Sequence, residues 1–179
     1  VFHHKVVFVY GTAGSGEENR WAFEKSRFDA ERFWYQGNGS IEVVSDADFR
    51  AADYPESNVV LYGNAATNSA WSSLLLESPV QIQRGEIRFG ASAYKGDDLA
   101  CVVIRPRTGT TDLCVGAIGG SGAKGMRLTD RMPYLLPGVA FPDVVVARTS
   151  MLEKGEEGVE AAGFFGLDWS LESGEFERR

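Results

Sequence analysis

With 179 residues, 44% of them hydrophobic and 12% aromatic, the chain can bury the core of one compact domain spanning 1–179 and is too short for two comfortable ones. Its net charge of −7 argues against nucleic-acid binding, which needs a basic face for phosphate contacts. No apolar run approaches the ~20 residues that cross a bilayer, so the chain reads as soluble, with no membrane partner.

Lys5–Tyr10 reads as a strand that ends in Gly11-Thr-Ala-Gly-Ser-Gly16 and leads into a helix over Gly16–Gln36. Along that helix Trp21, Phe23, Phe28, Phe33 and Trp34 are spaced to cover one broad buried face, and Gly37-Asn38-Gly39 stops it. Ile41–Ser45 and Val59–Tyr62 follow as strands, and Asn68–Leu76 as a helix. Pro79–Gln83 and Glu86–Phe89 flank Arg84-Gly85 as an inserted β-hairpin. Leu99–Ile104 and Leu113–Ile118 form a second hairpin, then come a short helix near Ala123–Arg131, a strand at Asp143–Ala147, a helical turn at Met151–Lys154 and a strand at Glu160–Gly166. Three of these strands run through glycine-rich turns into helical segments, the pattern of an α/β fold. We expect a three-layer sandwich around a mainly parallel sheet, flavodoxin-like or Rossmann-like, plus the inserted hairpin. Val1 stands where an initiator methionine would and no signal peptide is visible, which reads as a piece of a longer polypeptide.

Cys101 and Cys114 sit in the two strands of the second hairpin, so pairing about the loop would bring them close to facing each other. A disulfide and two buried thiols are both open, with buried thiols favoured by the low cysteine content. Two cysteines supply too few ligands for zinc, and neither a metal nor another cofactor is expected.

The glycine turns invite anion-binding readings. Gly11–Gly16 matches neither GxGxxG nor a P-loop. Ser15 with Glu18 three residues later is instead a capping box, and Glu17 and Glu18 at the helix start would repel phosphate. Gly119-Gly-Ser-Gly-Ala-Lys-Gly-Met-Arg127 is the better candidate, carrying Lys124 and Arg127 with Ser121 in the turn. It is not a nucleophile elbow, since its glycines miss the GxSxG register. Gly63-Asn-Ala-Ala-Thr-Asn68 places Asn64 and Asn68 at a strand end, as helix caps or as readers of a polar ligand. Thr12, Asn64, Asn68, Ser121, Lys124 and Arg127 are thus the candidate ligand-binding residues of one neutral-to-basic crevice at the strand carboxyl ends. Asp168 lies at the mouth of the last strand. His3 and His4, the only histidines, precede the first strand. They belong at the opposite edge, which disfavours a serine triad, and no catalytic residue is assigned.

Val7-Phe-Val-Tyr-Gly-Thr12, Phe33-Trp-Tyr-Gln-Gly-Asn-Gly-Ser40, Asn58-Val-Val-Leu-Tyr-Gly-Asn64, Gly96-Asp-Asp-Leu99, Gly125-Met-Arg-Leu-Thr-Asp130 and Gly163-Phe-Phe-Gly-Leu-Asp-Trp169 together resemble a domain that follows the α/β-hydrolase domain in large bacterial prolyl-oligopeptidase-like serine peptidases. The resemblance covers almost the whole chain. It implies a carboxy-terminal module whose catalytic serine lies upstream, with that hydrolase domain as its partner in the same chain. The missing GxSxG and interior histidine agree with this. The expected role is that of a non-catalytic accessory domain that packs on the hydrolase, assembles it into a homo-oligomer or shapes access to its site. The hairpin at Arg84-Gly85 and the polar crevice are the surfaces expected to make contact.

Overall fold

The computed structural model describes residues 4–37, 39–136 and 138–179. In chain order these form β1 (Lys5–Tyr10), α1 (Gly16–Gly37), β2 (Glu42–Ser45), β3 (Ser57–Tyr62), α2 (Trp71–Leu74), β4 (Val80–Gln83), β5 (Glu86–Phe89), β6 (Ser92–Lys95), β7 (Leu99–Pro106), β8 (Cys114–Gly120), α3 (Ala123–Leu128), β9 (Val144–Arg148), α4 (Met151–Lys154), β10 (Val159–Phe164) and β11 (Glu175–Arg178). The large sheet has eight strands in the order β11-β10-β9-β7-β8-β3-β1-β2. One half, β2-β1-β3-β8, is parallel. From β8 outward through β7, β9, β10 and β11 every pairing is antiparallel, so the α/β class holds and the sheet as a whole is mixed.

Valine-rich strands with side chains alternating across the pleat bury both faces. Val6, Phe8, Val60, Tyr62, Val102 and Ile118 pack with Trp21 and Ala22 of α1 and Met126 of α3. Val7, Val9, Val59, Leu61, Cys101 and Val103 point the other way, against Trp71 and against Ile82, Ile87 and Phe89. Those last three belong to a separate antiparallel sheet, β4-β5-β6. The expected two-stranded insertion therefore has a third strand, and it forms part of the cover on this face. The hairpin β7–β8 also corrects the cysteine expectation: its register sets Cys101 opposite Gly119 and Cys114 opposite Pro106. Because Cys101 and Val115 share the small-sheet core, alternation turns Cys114 to the helix side. Both thiols are free, and burial pushes both up in pKa.

Buried polar side chains fix the ends of the parallel strands. At the amino edge the guanidinium of Arg107, itself buried, donates to the carbonyls of Ala51, Tyr54 and Ser57 and so clamps the approach to β3. At the carboxyl edge glycine lets backbones touch. A Cβ at Gly11 would lie 2.3 Å from the Thr67 carbonyl oxygen, at Gly119 1.8 Å from that of Gly63, and at Gly125 1.9 Å from that of Leu99. None of these three glycines has a left-handed φ; the requirement there is space, not backbone freedom.

The two outer strands differ in chemistry. β11 reads Glu-Phe-Glu-Arg, whereas β2 reads Glu-Val-Val-Ser, so charge guards the first edge and only Glu42 guards the second.

Gly125→Ala should lower the midpoint of urea unfolding, at a cost of about 1–3 kcal/mol or more from overpacking against strand backbone. Gly16→Ala, whose new methyl meets nothing within 4 Å, should be neutral or slightly stabilising. Equal midpoints for the two variants would contradict the close-packing account.

Candidate functional site

The carboxyl ends of β1, β3 and β8 gather Thr12, Asn64, Asn68 and Ser121 at one edge, where each side chain already has an internal partner. Thr12 Oγ1 donates to Asp46 Oδ1 at 2.6 Å. Asn64 Nδ2 donates to the Gly120 carbonyl at 2.9 Å, and its Oδ1 accepts from the Ala66 amide. Asn68 Nδ2 bridges the carbonyls of Val9 and Tyr62 at 2.9 and 3.2 Å while its Oδ1 accepts from the Ala70 amide. Ser121 Oγ accepts from the Leu99 amide. Asn64, Asn68 and Ser121 are all fully buried. Lys124 and Arg127 stand apart on the surface, paired with Asp97 at 3.4 Å and Glu17 at 3.1 Å. Exposed pairs of this kind add little to stability.

The turn of the first hairpin closes over the same edge. Gly85 donates its amide to the Ser121 carbonyl at 2.8 Å and accepts from the Gly96 amide. Arg84 reaches Glu18 Oε2 at 3.0 Å. The expected capping box is present beneath it: the Ser15 amide donates to Glu18 Oε2 at 2.8 Å, and the Glu18 amide to Ser15 Oγ at 3.3 Å. Burial pushes the Glu18 carboxyl up, but the bonds from Ser15 and the charge of Arg84 outweigh it and hold the group below its ordinary value. The Arg84-Gly85 turn is therefore seated on its own domain.

His4 lies at the amino edge, as expected, with Nε2 3.3 Å from Asp112 Oδ2; His3 falls outside the described residues. The last long strand stops at Phe164, short of the expected Gly166. Asp168 is in the following loop, where it accepts from the Ser170 amide at 2.9 Å and from Ser173 Oγ. These bonds hold its carboxyl down at about 2. Asp168 is thus an ionised turn residue.

The polar cluster that sequence reasoning missed lies under α1. The helix does not bury the expected aromatic face: Trp21 is buried, but Phe23, Phe28 and Trp34 are exposed, and Glu18, Lys25, Ser26 and Asp29 are buried in their place. Lys25 Nζ donates to Asp29 Oδ1 at 2.7 Å. Asp29 Oδ2 accepts from Tyr134 at 2.7 Å and from Tyr62, at the core of the sheet, at 3.1 Å. Burial and the Asp29 charge push both phenols well above their ordinary pKa. Lys25 also lies 3.6 Å from Asp130. Burial and the nearby Asp29 raise the Asp130 carboxyl despite that lysine. The Lys25/Asp29 spacing of four residues was the available signal, since it places opposite charges on one helical face. Among the described residues no cluster of His, Cys, Asp and Glu could hold a metal ion, and no helix is long and apolar enough to cross a membrane.

Asn68→Ala strips the Val9 and Tyr62 carbonyls of a buried donor and should cost about 1–3 kcal/mol in denaturant unfolding, whereas Lys124→Ala and Arg127→Ala should each stay within about 0.5 kcal/mol. In a carboxyl-detected NMR titration, Asp168 should ionise at about 2 and move up toward the ordinary aspartate range in Ser173→Ala. The folded value is the depressed one, so the order this carboxylate lends the 168–173 turn is present above the ordinary range and is lost as pH falls through about 2.

No family model matches this chain, and no curated protein matches it significantly.

Proposed function

We propose that these residues form a non-catalytic accessory domain of a serine hydrolase, a peptidase or an esterase, which packs on the catalytic domain of the same chain. The observation that carries this reading is the outward face of α1. Phe28, Trp34 and Tyr35 are 53%, 57% and 85% exposed, on a helix whose inward face holds an ion pair. Aromatic side chains in contact with water on one helix are the composition of an interface core rather than of an ordinary surface. The resemblance to the domain that follows the hydrolase in prolyl-oligopeptidase-like peptidases supplies the partner. His4, the one described imidazole, sits at the amino edge beside Asp112, remote from the glycine loops, which supports a catalytic centre elsewhere in the parent protein.

The finer fold reading rests on strand order. The parallel half, β2-β1-β3-β8, follows the doubly wound order in which the first and third strands adjoin, and this supports a flavodoxin-like ancestry for that half. The small sheet β4-β5-β6 covers one face in place of a helical layer.

Turnover of an ester and of an aminoacyl anilide should be absent from this domain alone and present when it is joined to the hydrolase domain. In the joined protein, Phe28→Ser with Trp34→Ser should lower the thermal midpoint or the turnover, while the isolated domain changes by no more than about 0.5 kcal/mol per exposed site. Turnover by the isolated domain overturns the accessory reading.

A further inference from the structure

Between α1 and α3, with the turn that follows α3, lies a cleft of about 520 Å³, within the size range of small-molecule sites. Trp21 and Phe28 form its aromatic wall, and Arg20 and Arg131 stand at its rim. Four cations and three acids line it, but most are already spoken for. Arg127 is paired with Glu17, and Lys25 with Asp29 and Asp130. Arg20 and Arg131 form no ion pair with any described residue, nor does Glu24. Two guanidinium groups without an ion pair therefore line the cleft with one such carboxylate, on a protein whose net charge is −7.

A second observation points to an absent acceptor. Trp21 is 6% exposed, yet its indole N–H is one of two buried side-chain polar atoms among the described residues without a hydrogen-bond partner. Buried indole N–H groups ordinarily find one. Trp21 lines the cleft, so its N–H is a local group whose surroundings a molecule bound there would change. Arginine binds carboxylate through paired N–H groups and also lies flat on aromatic rings, so the same lining suits a flat apolar body that carries an acid.

We propose that the α1–α3 cleft is a binding site for a small aromatic carboxylate, its ring against Trp21 and Phe28 and its acid group held by Arg20 and Arg131. The cleft shares Phe28 with the α1 face of the accessory reading, so binding is measured on the domain alone, where its failure leaves that reading untouched. The test uses the domain itself with indole-3-acetate and benzoate as probes. The Trp21 indole N–H resonance is identified by its loss in Trp21→Phe and then followed in ¹⁵N-labelled protein. Saturable movement of that resonance by both acids is expected. Benzylamine, with the ring but a positive charge, and acetate, with the charge but no ring, should leave it in place. Arg20→Ala with Arg131→Ala should weaken the acids about tenfold or more, the loss of a charge-assisted bond; both residues are exposed, so the fold is retained. An unmoved resonance at millimolar acid, equal binding by the double variant, or an equal response to benzylamine overturns the proposal.

Discussion

Backbone-to-backbone contact at the carboxyl edge of the parallel strands is the constraint from which the rest of this structure follows. Gly11, Gly119 and Gly125 admit a carbonyl into the space a Cβ would fill, and the loops after β1, β3 and β8 consequently lie on one another instead of splaying around a crevice. Once the chains are this close, every loop amide and carbonyl must find a protein partner, because water has been excluded. Asn64, Asn68 and Ser121 meet that requirement with side chains that imitate backbone. A glycine-rich turn at a strand end is thus compatible with two opposite outcomes, a cradle for a ligand or a direct joint between strands. Here the glycines serve the joint.

Much of the fold was legible because its strands are runs of β-branched residues bounded by glycine, and because Ser15 and Glu18 announce the start of α1. The failures have local causes. β6, Ser-Ala-Tyr-Lys, and β11, Glu-Phe-Glu-Arg, carry no buried alternation of their own and become strands through pairing with β5 and β10. The helix expected over Asn68–Leu76 is reduced to Trp71–Leu74. Asn68 turns its side chain back on the Ala70 amide, and Pro79 has no N–H to offer the Leu75 carbonyl. Gln81 Nε2 supplies one in its place, reaching the carbonyls of Leu75, Leu76 and Ser78. Thr12, Asn64, Asn68 and Ser121 lie at the carboxyl edge, but their partners Asp46, Gly120, Val9 and Leu99 are tens of residues away, and no local pattern encodes those.

The orientation of α1 shows how one side chain of the sheet can override helix patterning. Tyr62 at the end of β3 brings a hydroxyl beneath the helix, and a hydroxyl in the core demands an acceptor. Asp29 provides it, and Lys25 then accompanies Asp29, since a lone buried carboxylate is costly. With that polar set rotated inward, Trp21 reaches the core, and Phe23, Phe28, Trp34 and Tyr35 of the same helix are left facing solvent. The outward aromatic face and the inward ion pair are therefore two aspects of one rotation.

The unequal edges of the large sheet carry a consequence for assembly. A filament built by strand addition requires two competent ends on every subunit, one to extend and one to be extended. With charge on β11 and little on β2, the large sheet of each copy offers a single weakly guarded end. Strand-to-strand association through β2 would exhaust both partners at once, so the edges of the large sheet favour a closed pair over open-ended growth.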